Sequence, residues 1–180
     1  MKIAIVHNNN ESSITLAGEL RLLLKKAALK IDERHPDLVI TIGGDGTLLS
    51  AFHRYAHMLD RVRFVGVHTG HLGFYTDWRD YELSELVTSL IHDKGESISY
   101  PLLDVRATYQ GRKEPSHFLA LNESTMKRVD GTMVCDVFIK DELLSVLEET
   151  ASVSLRLLGQ RGIINRLEEQ LFTRGWKRCS

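Results

Sequence analysis

A single carboxylate, Asp45, lies among glycines directly after an apolar run, in the segment LVITIGGDGTLLSAF. The neighbouring Gly43, Gly44 and Gly46 would let a phosphate approach the backbone, and N–H groups at a helix start attract anions. A carboxylate repels phosphate, so Asp45 is expected to hold a metal or to accept a proton from an attacking hydroxyl. Asp and Gly are also common in ordinary strand-to-helix turns, and this alternative stays open here.

The elements around Asp45 are a strand and a helix. Leu38–Ile42 is an apolar, mostly β-branched run, which predicts a buried parallel strand. Thr47 is expected to cap a helix whose apolar face includes Leu48, Leu49 and Phe52. Neither GxxxxGK[ST] nor GxGxxG occurs in the sequence, so the phosphate geometry should differ from that of either motif.

Two further segments carry residue types that suit nucleotide binding. In HTGHLGFYTDW, Phe74 and Tyr75 follow a glycine-rich stretch, and they could either pack inward or wall a nucleotide base. Asn122 and Glu123 follow the apolar run FLAL. An amide beside a carboxylate suits a base and the hydroxyl pair of a ribose, although a strand-end turn explains the pair equally well.

Together the three segments resemble the motifs of the NAD kinase family. IGGDGTLL alone is shared more loosely with diacylglycerol kinases, sphingosine kinases and 6-phosphofructokinases, but HTGHLGFYTDW and LNESTMKR follow in the order typical of NAD kinases. The resemblance covers roughly residues 1–143. His68 stands where the family commonly has Asn, and we expect it to serve the loop itself.

The resemblance implies phosphoryl transfer from ATP to the adenosine-ribose 2′-hydroxyl of NAD, giving NADP. Asp45 would accept the hydroxyl proton, and Mg²⁺ or another divalent cation would offset the phosphate charge. No side chain is assigned as a metal ligand. The residues expected to bind the nucleotides are Gly43, Gly44, Asp45, Gly46, Leu49, Phe74, Tyr75, Asn122 and Glu123.

The order of elements predicts an α/β fold with a parallel sheet in the N-terminal nucleotide-binding domain. This domain is expected to span residues 1–96, and residues 97–143 to begin a β-rich NAD-binding domain that is truncated. The predicted elements of the first domain, besides those around Asp45, are strand Lys2–His7, a helix from Ile14 capped by Ser12 or Ser13, strand Val62–Val67 and helix Tyr81–His92. In the second, Ile98–Thr108 and Ser116–Asn122 predict a hairpin, and Met133–Ile139 another strand.

Residues 144–180 depart from the family pattern. At face value they read as two basic amphipathic helices. However, permitted codons for Glu149–Glu169, read one nucleotide earlier after a G, can spell GDGLSVSTPTGSTGYNKSLGG, which resembles the family segment absent at this point. We therefore expect an out-of-frame translation that begins near Leu143 or Leu144.

Composition excludes several other functions. The 23 basic and 24 acidic residues nearly cancel, so neither nucleic acid nor a membrane surface is an expected partner. No apolar run approaches the length of a membrane span, and a cytoplasmic location is expected. The partners would be small nucleotides, with a homo-oligomer implied if the β-rich domain were complete. The alternative function is a catalytically inactive frameshift product or nucleotide-binding remnant.

Overall fold

The computed structural model describes residues 1–70, 73–127, 133–139, 142–149 and 152–156. The chain divides into two compact units, Met1–Ser99 and Tyr100–Ser180. Strands and helices alternate in the first unit and form a parallel sheet, as predicted, and the second unit contains antiparallel strand pairs. The α/β prediction is therefore confirmed. Among the described residues, each helix is too short or too polar to cross a membrane.

The sheet of the first unit consists of five parallel strands: β1 (Lys2–His7), β2 (Lys30–Ile31), β3 (Leu38–Gly43), β4 (Arg63–His68) and β5 (Trp78–Arg79). They lie in the order β2-β1-β3-β4-β5. Strand β3 lies at its centre, and all six of its residues are buried, which explains its nearly continuous apolar sequence. Gly43 at the end of β3 is paired with His68 at the end of β4.

Three helices cover the two faces of this sheet: α1 (Glu11–Lys26), α2 (Asp45–Arg54) and α3 (Leu83–Ile91). The apolar sides of α1 and α3 pack on one face, in a core that includes Leu20, Leu86 and Ile40. Helix α2 packs on the other face, where Ala51 belongs to a core with Val39. Short 3₁₀ segments follow α2 at Ala56–Met58 and precede α3 at Asp80–Glu82.

Both predicted helix caps are wrong. Helix α1 begins at Glu11 with Asn10 as its N-cap, so neither Ser12 nor Ser13 occupies that position. Helix α2 begins at Asp45 with Gly44 as its N-cap, which places Thr47 inside the first turn. The backbone of Asn10 and Gly44 is extended at both caps, as is usual for the residue that precedes the first turn of a helix.

An ion pair ties the start of β4 to the segment after α3. Arg63 Nη1 lies 3.0 Å from Asp93 Oδ1, and Nη2 contacts the other carboxylate oxygen. The hydrogen bonds from Arg63 lower the pKa of Asp93 to about 2, with a further contribution from the N–H of Gly95. Because this folded-state pKa lies below the unfolded value, the pair stabilises the fold above the unfolded pKa, and that stabilisation is lost as the pH falls toward 2.

Arg63→Gln is expected to lower the free energy of unfolding by up to about 1 kcal/mol at pH 7, because the pair is only partly exposed and bidentate. The difference in the free energy of unfolding between the variant and the parent should become smaller as the pH falls from about 4 to 2. Urea unfolding at several pH values measures it, with the exposed Arg61→Gln as the charge-matched control. A difference that stays constant over that range would contradict the role of Asp93.

The second unit contains antiparallel pairs. Strand β6 (Leu103–Ala107) pairs with β7 (Ser116–Ala120), which confirms the predicted hairpin in shorter form. Strand β9 (Met133–Ile139) has the predicted bounds. Asn122 lies between β7 and the next strand, β8 (Glu123–Lys127), which Glu123 begins, so the pair does not end the first strand.

The first residues of the tail continue this pattern. Strand β10 (Glu142–Glu149) pairs with β9, and β11 (Ser152–Arg156) pairs with β8. The face-value reading of helices is therefore wrong for these residues, and residues 157–180 lie outside the described part of the chain. Strand pairing uses backbone N–H and C=O groups that any non-proline residue supplies, so these pairs do not by themselves show which reading frame produced the side chains.

Candidate active site

The turn between β3 and α2 forms a glycine cradle at the carboxyl end of the central strand. Gly43 has a φ of +149°, and a Cβ built there would overlap Thr47 Oγ1 and lie 2.9 Å from Asn8 Nδ2. Only glycine fits this position without strain or displacement. Gly44 and Gly46 are exposed, and the first N–H groups of α2 begin here, so the cradle has the geometry of an anion site.

A cleft of about 400 Å³ opens beside this cradle. Gly44, Gly46 and Thr47 line it from the α2 side, and His7 and Asn8 line it from the end of β1. Sequence reasoning missed the two β1 residues. Strands β1 and β3 are parallel neighbours, and ligands bind at the carboxyl ends of such strands, so the polar pair that follows KIAIV was the available signal.

Asp45 is partly buried and accepts two backbone hydrogen bonds. The N–H of Phe74 donates to Oδ2 at 2.9 Å, and the N–H of Tyr75 donates to Oδ1 at 3.0 Å. The structure thus brings Asp45, the glycine cradle and the aromatic segment together. The sequence had suggested an isolated carboxylate. In the structure, the Asp45 carboxylate already binds the loop Gly73–Thr76, so any chemical role of Asp45 would come in addition to these hydrogen bonds.

The aromatic residues differ in exposure. Phe74 is 57% exposed, which argues against the inward-packing alternative for that side chain, and Tyr75 is half-buried. His68 is buried, and its Nδ1 donates to the carbonyl of Gly70 at 3.1 Å. This hydrogen bond lies within the segment that follows β4, which agrees with the local structural role predicted for His68.

Thr76 stabilises the loop Gly73–Thr76 through a hydrogen bond inside the loop. Its side chain is buried, and its Oγ1 accepts the N–H of Gly73 at 3.1 Å. Thr76→Val keeps the shape but leaves that N–H without this acceptor, so we expect a loss of about 1 kcal/mol in the free energy of unfolding. Thr76→Ser keeps the hydroxyl and is the matched control. Urea unfolding compares the two, and equal losses would mean that packing of the methyl group, not the hydrogen bond, matters.

The remaining predicted residues fall in different places. Leu49 is partly buried in the second turn of α2. Asn122 and Glu123 belong to the second unit, where Leu121 before them is buried, Asn122 is half-buried and Glu123 is exposed. Both make interactions within the fold. Their roles in binding remain predictions.

A metal in this site would depend on phosphate oxygens. The described residues contain no group of three or more His, Cys, Asp or Glu side chains placed to hold an ion. Mg²⁺ commonly binds through one or two carboxylates together with substrate phosphates and water. The chemistry of the cradle fits such a nucleotide-carried cation, with Asp45 as the nearest carboxylate to the glycines.

Comparison with solved structures supports the fold. Yeast NADH kinase, solved in complex with NADH, superposes with a TM-score of 0.72, and the match covers 86% of this chain and 57% of that chain. The sequence identity is 16%, so the likeness concerns the fold alone.

Comparison with curated sequences gives much closer relatives. The NAD kinase of Enterococcus faecalis is 63% identical over 143 residues, which cover 79% of this chain and 54% of that protein. The NAD kinase of Lacticaseibacillus paracasei is 59% identical over 142 residues, 79% of this chain and 53% of that protein. The chain thus spans about half the length of the curated relatives that it matches.

A family model supplies the assignment. The model of the ATP-NAD kinase N-terminal domain matches residues 4–95, about half of the chain, and this range contains the cradle, Asp45 and the loop Gly73–Thr76. The match agrees with the resemblance seen in the three sequence motifs. The chain belongs to the NAD kinase family.

Proposed function

We propose that this chain carries the phosphate-binding half of an NAD kinase, which transfers a phosphoryl group from ATP to the adenosine-ribose 2′-hydroxyl of NAD. The observation that carries the proposal is the Asp45 carboxylate, set between exposed glycines at the start of α2 and beside a cleft. Phosphoryl transfer needs phosphates held by backbone donors and a group that accepts the hydroxyl proton. The cradle offers both within one turn.

The proposed roles follow from the contacts. Gly44 and Gly46 leave space for phosphate against the first turn of α2, whose dipole favours negative charge. Asp45 accepts the proton of the attacking hydroxyl. It can do so while bound to the loop, because a carboxylate has about four lone-pair sites and the two N–H groups use two of them.

The other predicted binding residues are each proposed to contact NAD. The exposed ring of Phe74 is available to stack on the adenine or the nicotinamide ring of NAD, and Tyr75 lies next to it. Asn122 and Glu123 supply an amide and a carboxylate for base and ribose hydroxyls. Leu49 offers an apolar contact. A divalent cation bound to the ATP phosphates would neutralise part of their charge, and the protein steps above do not depend on its ligands.

The test of this activity is NADP formation from ATP and NAD by the protein with its reading frame restored beyond Leu143. Diacylglycerol, sphingosine and fructose 6-phosphate are the comparison acceptors, because kinases for such substrates share the GGDG motif. We expect phosphate transfer to NAD only. Transfer to a lipid or a sugar in preference to NAD would overturn the substrate assignment while leaving the cradle as a phosphate site.

A second candidate function is an inactive remnant. It is favoured by the tail, because similarity to the curated relatives extends over 141–144 residues, about the length at which the sequence predicts the change of frame. In this case the 180-residue chain would bind nucleotide weakly and transfer no phosphate. Several large apolar side chains of the second unit are exposed, including Phe118, Val134 and Phe138, and a longer β-rich domain would be needed to cover such residues.

The cellular setting follows from the substrates. We propose a cytoplasmic location, where ATP and NAD are available, and nucleotides as the partners. Assembly into a homo-oligomer is proposed only for a chain with a complete β-rich domain.

A further inference from the structure

The loop Gly73–Thr76, here called the aromatic loop, is attached to the GGDG turn through one side chain. Both oxygens of Asp45 accept backbone N–H groups of this loop, at 2.9 Å and 3.0 Å. These are ordinary hydrogen-bond distances, and a charged acceptor makes such bonds stronger than those between neutral groups. The two bonds fix the position of consecutive peptide groups, so they restrict the loop more than a single contact would.

The fit of the loop depends on two positions without side chains. A Cβ at Gly73 would overlap Asp45 Oδ1 and lie 2.8 Å from its Cγ. Beneath the loop, a Cβ at Gly66 in β4 would lie 2.6 Å from the carbonyl oxygen of Tyr75. The loop is therefore seated between the carboxylate and the sheet, and an added methyl group on either side would push it away.

We propose that Asp45 has a second role as a latch that positions the aromatic loop, and that Gly73 is the positioning residue that lets this latch close. The latch orients Phe74 and Tyr75 from the same turn that is proposed to hold phosphate. One side chain thus sets the geometry between two parts of the site. The inference deepens the proposed function, but its test below requires no kinase activity.

The test is amide hydrogen exchange in the ¹⁵N-labelled 180-residue chain without nucleotide. In Gly73→Ala, the amides of Phe74 and Tyr75 are expected to exchange about ten- to a hundredfold faster than in the parent, the range for losing a hydrogen bond to a charged group. Gly70→Ala is the matched control, because nothing lies within 4 Å of a Cβ at Gly70, and it should leave both amides unchanged. Amides of β1 and β3 must keep their protection in both variants, which shows that the sheet remains folded.

A second pair of variants tests the carboxylate itself. Asp45→Ala should release both amides, whereas Asp45→Asn, with a single acceptor oxygen, should keep one. Fast exchange of both amides in the parent, or unchanged exchange in Asp45→Ala, would overturn the latch. Either result is independent of the NADP assay, so the two proposals can fail separately.

Discussion

The 180-residue chain is expected to form NADP from ATP and NAD at least about a hundredfold more slowly than the same protein with its reading frame restored after Leu143, since misplacing parts of a site commonly costs that much. The resemblance implies that the restored TPTGSTGY-like loop closes the dinucleotide site. Without it, the cradle and the aromatic loop would act on a nucleotide held from one side. The measurement is initial rates of NADP formation with purified protein, Mg²⁺, ATP and NAD.

A chain that ends after Leu143 is the control for this comparison. It separates the absence of the family loop from any inhibition by residues 144–180, and we expect it to be as inactive as the 180-residue chain. Its first unit should keep its free energy of unfolding within about 1 kcal/mol, because residues translated out of frame would not have been selected to pack against it. Rates in the 180-residue chain within a few-fold of the restored protein would show that the frame change is wrong or has no consequence.

In the restored protein, Asp45→Asn is expected to lower kcat by at least about a hundredfold, because an amide cannot accept the hydroxyl proton. The structure adds a second effect. Since asparagine can accept only one of the two N–H groups from the aromatic loop, KM for NAD should rise as well. The two hydrogen bonds that Asp45 accepts from Phe74 and Tyr75 are the reason for this second effect.

Gly73→Ala separates the two roles of Asp45. It retains the carboxylate but opens the latch, so we expect KM for NAD to rise more than kcat falls. For Asp45→Asn, the control for the loss of charge is Asp60→Asn, which removes an exposed carboxylate in the turn after Met58 and should leave both constants unchanged. Activity within a few-fold of the parent for Asp45→Asn would contradict the proton-accepting role.

Much of the first unit follows from local sequence patterns. The β-branched run Leu38–Ile42 predicted the central strand to within one residue, and the apolar periodicity after Ile14 and Tyr81 predicted α1 and α3. These patterns are reliable because they reflect burial of one face of an element, which adjacent residues determine. The predicted helix starts were wrong. Several polar residues near Ser12 are of a type that can cap a helix, and the local pattern does not distinguish between them.

The GGDG motif, its place at a strand end and the family resemblance could all be read from the sequence alone. The connection of Asp45 to Phe74 and Tyr75 could not, because the donors are backbone N–H groups, which every non-proline residue possesses and which leave no mark in the sequence. Pairing of Gly43 with His68 in the sheet brings these segments together, and the space at Gly73 lets them touch. The sequence determined which residues could do chemistry, and only the tertiary structure decided that one carboxylate also holds the loop beside it.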